Sequence, residues 1–287
     1  MPELPEVETV RRQLVDHVVG KTIKSIDVYS EKQTGFDDNY EAKLIGKTIK
    51  SICRTGKLMV FSFVGDSDFH LLAHLKMTGQ MLYESSDQKI SGGGHTLSAA
   101  DTELPGRHTR LQFNFEGGDT LYFNDMRKFG YMKITDKTGL KEVLAKFGPE
   151  PTDPKFNCDN FYDILQRSKQ PIKALLLDQS KVAGLGNIYV DEALFRAKIL
   201  PSRPANQISK AESDSLCRAS GNVMNESIAV GGTTFQHFAD TGGQHGNFKD
   251  KLQVFGQHGT PCPRCGSEIV KEKLRGRGTH YCPNCQT

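Results

Sequence analysis

Two cysteine pairs near the C-terminus, Cys262-Pro-Arg-Cys265 and Cys282-Pro-Asn-Cys285, constrain this chain more than any other feature. Sixteen residues separate the pairs, so four thiolates can close a tetrahedral shell at the ends of a β-hairpin, the pattern of a single zinc ion. Four protein ligands leave no open coordination position, so the expected zinc is structural. The intervening stretch reads as strand, a Gly276-Arg277-Gly278 turn and strand, which would project Arg277 from the hairpin tip. From Phe248 onward seven lysines and arginines stand against three acids, a local excess that suits a phosphate backbone. The whole chain of 287 residues carries only +3, too little to name a partner. Cys53, Cys158 and Cys217 are scattered and are expected as small core residues, not as a disulfide framework.

At the other end, residues 2 to 18 read as a helix. Pro2 and Pro5 stand at its start, Glu3, Glu6 and Glu8 favour the positive end of its dipole, and Val7, Val10, Leu14 and Val18 recur at helical spacing. Gly-Lys-Thr-Ile-Lys-Ser-Ile occurs twice, at 20 to 26 and 46 to 52, each copy opening a stretch of alternating apolar and polar residues. It is no phosphate loop, because Val15 and Glu41 stand where a Walker motif needs glycine. Strand-like runs at 58 to 64, 69 to 73, 109 to 115 and 120 to 124 predict an antiparallel sandwich or barrel, with an exposed loop from Ser85 to Gly106. Gly148-Pro149-Glu150-Pro151 punctuates a linker, after which helices are expected at about 171 to 180, 187 to 198 and 210 to 229, the last stopped by Gly231-Gly232.

The opening Met-Pro-Glu-Leu-Pro-Glu-Val-Glu-Thr-Val-Arg-Arg closely resembles the formamidopyrimidine-DNA glycosylase family. The blocks His74-Leu-Lys-Met-Thr-Gly79, Asp125-Met-Arg-Lys-Phe-Gly130 and Gly184-Leu-Gly-Asn-Ile-Tyr189 and the cysteine finger extend the resemblance over nearly the whole chain. It implies an α+β protein: an N-terminal antiparallel β-sandwich with flanking helices over 1–135, a linker over 136–154, a helix-two-turn-helix domain over 155–250 and a four-cysteine zinc-finger hairpin over 251–287. The implied activity is excision of oxidised purines from damaged double-stranded DNA, followed by strand cleavage at the abasic site.

The resemblance also implies roles for individual residues. Pro2, freed of Met1, is the amine nucleophile, and Glu3 is the proton donor and acceptor beside it. Lys57 matches a hairpin lysine that meets the departing base and phosphate, although Leu58 stands where the family often has an aromatic residue. Arg277 matches a finger arginine that grips DNA and assists the δ-elimination. Met77, Arg127 and Phe129 match the wedge that fills the stack when a nucleotide is flipped out. His74, His108, Lys169, Lys173 and Asn187 match phosphate contacts, whereas the stretch Arg107 to Arg110 ends in Arg110 where the family pattern has His. The segment Thr233 to Phe248 resembles the loop that closes over an everted oxidised guanine.

A related group, the endonuclease VIII-like glycosylases of oxidised pyrimidines, shares the proline and the finger. It lacks the Leu4-Pro5-Glu6-Val7-Glu8 run, and the Met77, Arg127 and Phe129 set belongs to the purine group. A non-enzymatic zinc protein that binds DNA is the other alternative, with Pro2 and Glu3 as mere helix-start residues. No apolar run is long enough for a membrane span and the N-terminus lacks the basic and apolar regions of a signal peptide, so a cytoplasmic location is expected; a monomer is expected as well.

Overall fold

The computed structural model describes residues 2–94, 104–233 and 248–287. The chain forms two compact units, Met1–Ala145 with Val230–Asn247, and Lys146–Ala229 with Phe248–Thr287. Among the described residues no helix is long and apolar enough to cross a membrane.

The first unit opens with α1 (Leu4–Val18), whose Val7, Val10, Leu14 and Val18 are buried in the core as their spacing predicts. Two antiparallel sheets follow. One has the order β1 (Ile23–Val28), β7 (Thr109–Phe115), β8 (Thr120–Asp125), β5 (Gly79–Glu84), β6 (Ile90–Gly94); the other runs β2 (Ile49–Thr55), β3 (Leu58–Phe63), β4 (Asp66–His74), β9 (Tyr131–Asp136). Phe61, Phe63, Phe113, Phe115 and Phe123 fill the core, each removing apolar area worth about 1.5–3 kcal/mol from water. Two short helices, α2 (Glu31–Thr34) and α3 (Tyr40–Leu44), lie between β1 and β2, and α4 (Lys137–Leu144) follows β9. That last helix occupies part of the stretch read as linker; Asp136 caps it by accepting the Gly139 N–H.

The two heptapeptide copies meet each other. Gly20 and Ile23 donate their N–H groups to the carbonyls of Ile49 and Lys47, and Gly46 and Ile49 return the same pattern to Ile23 and Lys21. The hydroxyls of Thr22 and Thr48 lie 2.8 Å apart. The repeat is therefore a near-symmetric staple between the edge strands of the two sheets, a role that explains why one sequence serves twice. Both copies place glycine in the left-handed region, at φ 85° and 80°.

The expected Ser85 to Gly106 loop is partly strand, since β6 pairs with β5; residues 95–103 lie outside the described residues. So does the segment Thr233 to Phe248, except for those two end residues.

The second unit holds α5 (Cys158–Gln166), α6 (Ile172–Leu177), α7 (Asn187–Ala197) and α8 (Lys210–Ala229). Its α6 is shorter than expected, giving way at Asp178 to two turns that the Gln179 side chain holds: Oε1 accepts from Gly184 N–H at 2.9 Å and Nε2 donates to the Leu185 carbonyl at 2.9 Å. Cys158 and Cys217 form a disulfide between α5 and α8, 59 residues apart, and Cys53 is exposed. This corrects their reading as three ordinary core residues. Helix packing brings the pair together, and local spacing carries no sign of it. The hairpin β10 (Val270–Leu274) and β11 (Arg277–Tyr281) ends the chain.

Candidate functional site

Pro2 and Glu3 are buried at the start of α1. The Glu6 carboxylate, one turn on and fully buried, accepts the Glu3 N–H at 2.8 Å through Oε2. Its Oε1 accepts both the N–H of Thr233 at 2.9 Å and the Thr233 hydroxyl at 3.0 Å. One carboxylate thus fixes the backbone of Glu3 and the first residue of the following segment. From sequence Glu6 is only a dipole-favoured helix residue; a capping box with Glu three positions after the cap was the available signal.

Further along α1, Glu8 receives hydrogen bonds from Arg11, Arg12 and Arg54. Burial pushes its carboxyl up, but the three guanidinium bonds win and hold it down at about 2. Arg54 also donates to the Gly56 carbonyl at 2.7 Å, bracing the turn that precedes Lys57. The buried Lys57 and the helix that starts with Pro2 and Glu3 are therefore tied through Glu8 and Arg54.

Met77, Arg127 and Phe129 come together on the surface of this unit. Arg127 Nη1 lies 3.1 Å from Met77 Sδ, and its guanidinium carbon lies 4.8 Å from the Phe129 ring centroid. Met77 and Phe129 remain 38% and 48% exposed, well above what core residues of their size show. Asp125, fully buried, sets the loop that carries them: Thr78 donates to Oδ1, Gly130 N–H to Oδ2 at 2.6 Å, and Arg127 N–H reaches the Thr78 hydroxyl at 3.0 Å. Arg110 Nε donates to the Asp125 carbonyl at 2.8 Å. The arginine that departs from the family pattern is thus a buried brace for this loop. Neither Asp125 nor Arg110 was assigned from sequence, because a buried brace has no local signature.

His74 is half-buried, and its Nδ1 accepts the Lys76 N–H at 3.0 Å. Burial, then the charges of Lys76 and Lys57, push its imidazole down to about 3. A neutral ring that accepts at Nδ1 carries its proton on Nε2, which leaves Nε2–H as a donor for a phosphate. His108 is half-buried at the start of β7.

In the second unit Lys169 is exposed after α5 and Asn187 is half-buried at the start of α7. Lys173, expected at a phosphate, is instead buried to 1% exposure. Its Nζ donates to Asp191 at 2.6 Å and to the Gly278 carbonyl at 2.8 Å, and Asn187 Nδ2 donates to the same carbonyl at 2.9 Å. Asp191 also takes the His280 N–H at 2.9 Å. Desolvation gives the physical reason for this pairing: a lysine buried in an apolar helix must find a carboxylate. Its place here is to hold the residue after Arg277. Arg277 itself is exposed and opens β11, opposite Leu274. The hairpin tip is Arg275-Gly276, both at positive φ as a two-residue turn requires, and not the expected Gly-Arg-Gly.

The four finger thiols fit one zinc ion. All lie within 4.8 Å of one another, with Cys262 Sγ to Cys285 Sγ at 3.9 Å and Cys265 Sγ to Cys282 Sγ at 3.5 Å. Tetrahedral thiolates about 2.3 Å from zinc stand roughly 3.8 Å apart. Phe195, Val254 and Ile269 pack around Cys262 and Cys282, and four thiolates would fill the zinc shell without a water.

The chain is similar to known proteins over its whole length. Residues 1–132 match the model of the formamidopyrimidine-DNA glycosylase N-terminal domain, 147–239 that of the H2TH domain of the same proteins, and 259–287 the zinc finger found in FPG and IleRS. The chain is 41% identical to a formamidopyrimidine-DNA glycosylase of Enterococcus faecalis, covering 100% of this chain and 97% of that one. It is 42% identical to one from an Exiguobacterium species, covering 100% and 99%. Among solved structures, the Lactococcus lactis Fpg in complex with DNA containing an abasic site aligns over 100% of both chains with a TM-score of 0.87 and 36% identity. A mutant of the Lactococcus lactis protein in complex with DNA containing Fapy-dG gives 0.86 and 37%, again over 100% of both chains.

Proposed function

This chain belongs to the formamidopyrimidine-DNA glycosylase family, and from that membership we propose a bifunctional glycosylase and abasic-site lyase that excises 8-oxoguanine and formamidopyrimidines from duplex DNA. It is an enzyme of base excision repair with one structural zinc ion. The observation that carries the mechanism is the start of α1, where Pro2 and Glu3 are buried side by side.

The chemistry needs an amine that is unprotonated near neutral pH. A lysine amine is neutral in about one part in a thousand near pH 7.5, an α-amine in roughly a third. With Met1 removed, the Pro2 nitrogen becomes a secondary α-amine at the positive end of a helix, which favours its neutral form. It attacks C1′ of the everted nucleotide, and the bond from C1′ to the damaged base breaks. Glu3 gives a proton to the ring oxygen, opening the sugar and leaving an iminium on Pro2. Its carboxylate then takes the C2′ proton as the C3′–O bond breaks. Loss of the C5′–O bond follows, with Arg277 at the phosphate, and water frees Pro2. Lys57 meets the departing base and phosphate, while Met77, Arg127 and Phe129 fill the vacated stack. His74, His108, Lys169 and Asn187 contact phosphates. Bacterial relatives and a DNA substrate support action in the cytoplasm.

Borohydride reduction of the iminium tests this directly. A covalent adduct should form between protein lacking Met1 and an 8-oxoguanine duplex, and should be absent from protein that retains Met1, where the Pro2 nitrogen is an amide. Wild-type base release by protein that retains Met1, or by Glu3→Gln, would overturn the mechanism. Faster release of oxidised pyrimidines than of 8-oxoguanine would move the chain's substrate class to that of the endonuclease VIII-like group.

A further inference from the structure

Beside the wedge, on the same unit, lies a strip of cations with no role assigned above. Lys32, in α2, places Nζ 5.7 Å from the centroid of the Phe129 ring that Arg127 also approaches. Two residues further on, the Tyr131 ring has Lys76 Nζ at 5.7 Å and Lys133 Nζ at 5.2 Å, and lies 5.8 Å from the His74 ring. The Lys133 stem is bounded by Gly35, where an added Cβ would come within 3.2 Å of its Cδ and Cε. Three lysines from three separate elements converge on two aromatic rings.

None of Lys32, Lys76 and Lys133 has an ion-pair partner among the described residues, whereas Lys21, Lys43 and Lys47 of the same unit pair with Asp119, Asp37 and Asp66. Gathering unpaired like charges is unfavourable unless a polyanion answers them. Resting the ammonium groups near aromatic faces offsets part of that repulsion and restrains the stems, so less side-chain freedom is lost when an anion arrives.

We propose that Lys32, Lys76 and Lys133, laid over Phe129 and Tyr131, form a ridge that grips the sugar-phosphate backbone of the duplex flanking the wedge. The proposal extends the reading of Met77, Arg127 and Phe129 as a wedge and rests on it. Lysine is a point charge that meets phosphate without reading sequence, so the ridge contributes equally to damaged and undamaged duplex.

Affinity measured by fluorescence anisotropy across a salt series decides it, using the full zinc-loaded chain with lesion-bearing and intact duplexes. Lys32→Gln/Lys76→Gln/Lys133→Gln should weaken both at least tenfold and lower the slope of log affinity against log salt by about 2 to 3, since each phosphate contact contributes about 0.9. The corresponding triple arginine variant should restore the slope. A charge-matched control, Lys24→Gln/Lys43→Gln/Lys50→Gln, should leave it unchanged. An unchanged slope in the first variant, or an equal drop in the control, overturns the ridge. Failure of the wedge reads out separately, as wild-type excision by Phe129→Ala, and the salt slope still rules on the lysines.

Discussion

Thr233 gives both its backbone N–H and its hydroxyl to one oxygen of Glu6, 227 positions earlier in the chain, while the other oxygen of that carboxylate holds the Glu3 N–H. Thr233 and the backbone of Glu3 at the start of α1 are therefore joined through a single buried side chain.

Glu6→Gln should disturb both ends at once. An amide keeps one acceptor and turns its other face into a donor, so either Glu3 N–H or the Thr233 pair is left opposite an N–H. A buried unsatisfied donor costs about 1–3 kcal/mol, and single-turnover excision should fall roughly tenfold or more with that loss of position. Thr233→Ser, which keeps both bonds, should excise at the wild-type rate and Thr233→Val should not. Equal rates for Ser and Val would remove the hydroxyl from the linkage.

The low pKa of His74 makes stability depend on pH. In the unfolded chain a histidine titrates near 6.5, and in the fold burial and the neighbouring lysines hold it at about 3. Below the higher value the unfolded state takes up a proton that the folded state lacks. Stability present above about pH 6.5 is therefore lost progressively toward pH 3, by up to about 2 kcal/mol at pH 5. Urea unfolding at pH 7.5 and 5.0 should show a smaller acid loss in His74→Gln than in wild type. Parallel losses would show that His74 does not carry the effect.

Lys173 separates a structural from a phosphate-binding role. Removing one partner of a buried pair costs about 3–5 kcal/mol, so Lys173→Met should lower the melting temperature by roughly 10 °C. The salt slope of DNA binding should not change. A normal melting temperature with a slope reduced by about 1 would return Lys173 to the phosphate contacts.

Zinc removal should act on DNA binding through the hairpin. Without the ion, β10 and β11 lose the anchor that keeps Gly278 between Lys173 and Asn187, and Arg277 loses its fixed position beside it. Cys282→Ser, checked for metal content, should bind lesion duplex at least tenfold more weakly. Unchanged affinity in the metal-free protein would make the finger dispensable for binding.

Arg127 should discriminate the base left opposite the lesion. In the proposed wedge role its guanidinium would donate to the acceptors of an orphaned cytosine but meet a donor on the matching edge of adenine, a difference of about 1–3 kcal/mol. Single-turnover excision of 8-oxoguanine should be roughly tenfold to a hundredfold faster opposite C than opposite A, and the ratio should shrink in Arg127→Ala. A preference that survives this substitution would have to be placed on another residue.

What the sequence determined by itself depends on short-range chemistry. Cys262, Cys265, Cys282 and Cys285 are readable because a tetrahedral ion demands two close pairs on a hairpin. The first helix is readable because Val7, Val10, Leu14 and Val18 lie one turn apart, and the strands because their side chains alternate. Met77, Arg127 and Phe129 stand out in the sequence only through the blocks that hold them. The tertiary structure alone decided which polar groups lose water. Lys173 and Asp191 look like any helix-surface charges until packing removes both from solvent and obliges them to pair. Cys158 and Cys217 meet only because α5 packs on α8. Asp125, Arg110 and Glu6 became braces for the same reason: once buried, each must find partners, and those partners lie wherever the fold brings a free N–H or carbonyl, at distances along the chain that no local pattern encodes.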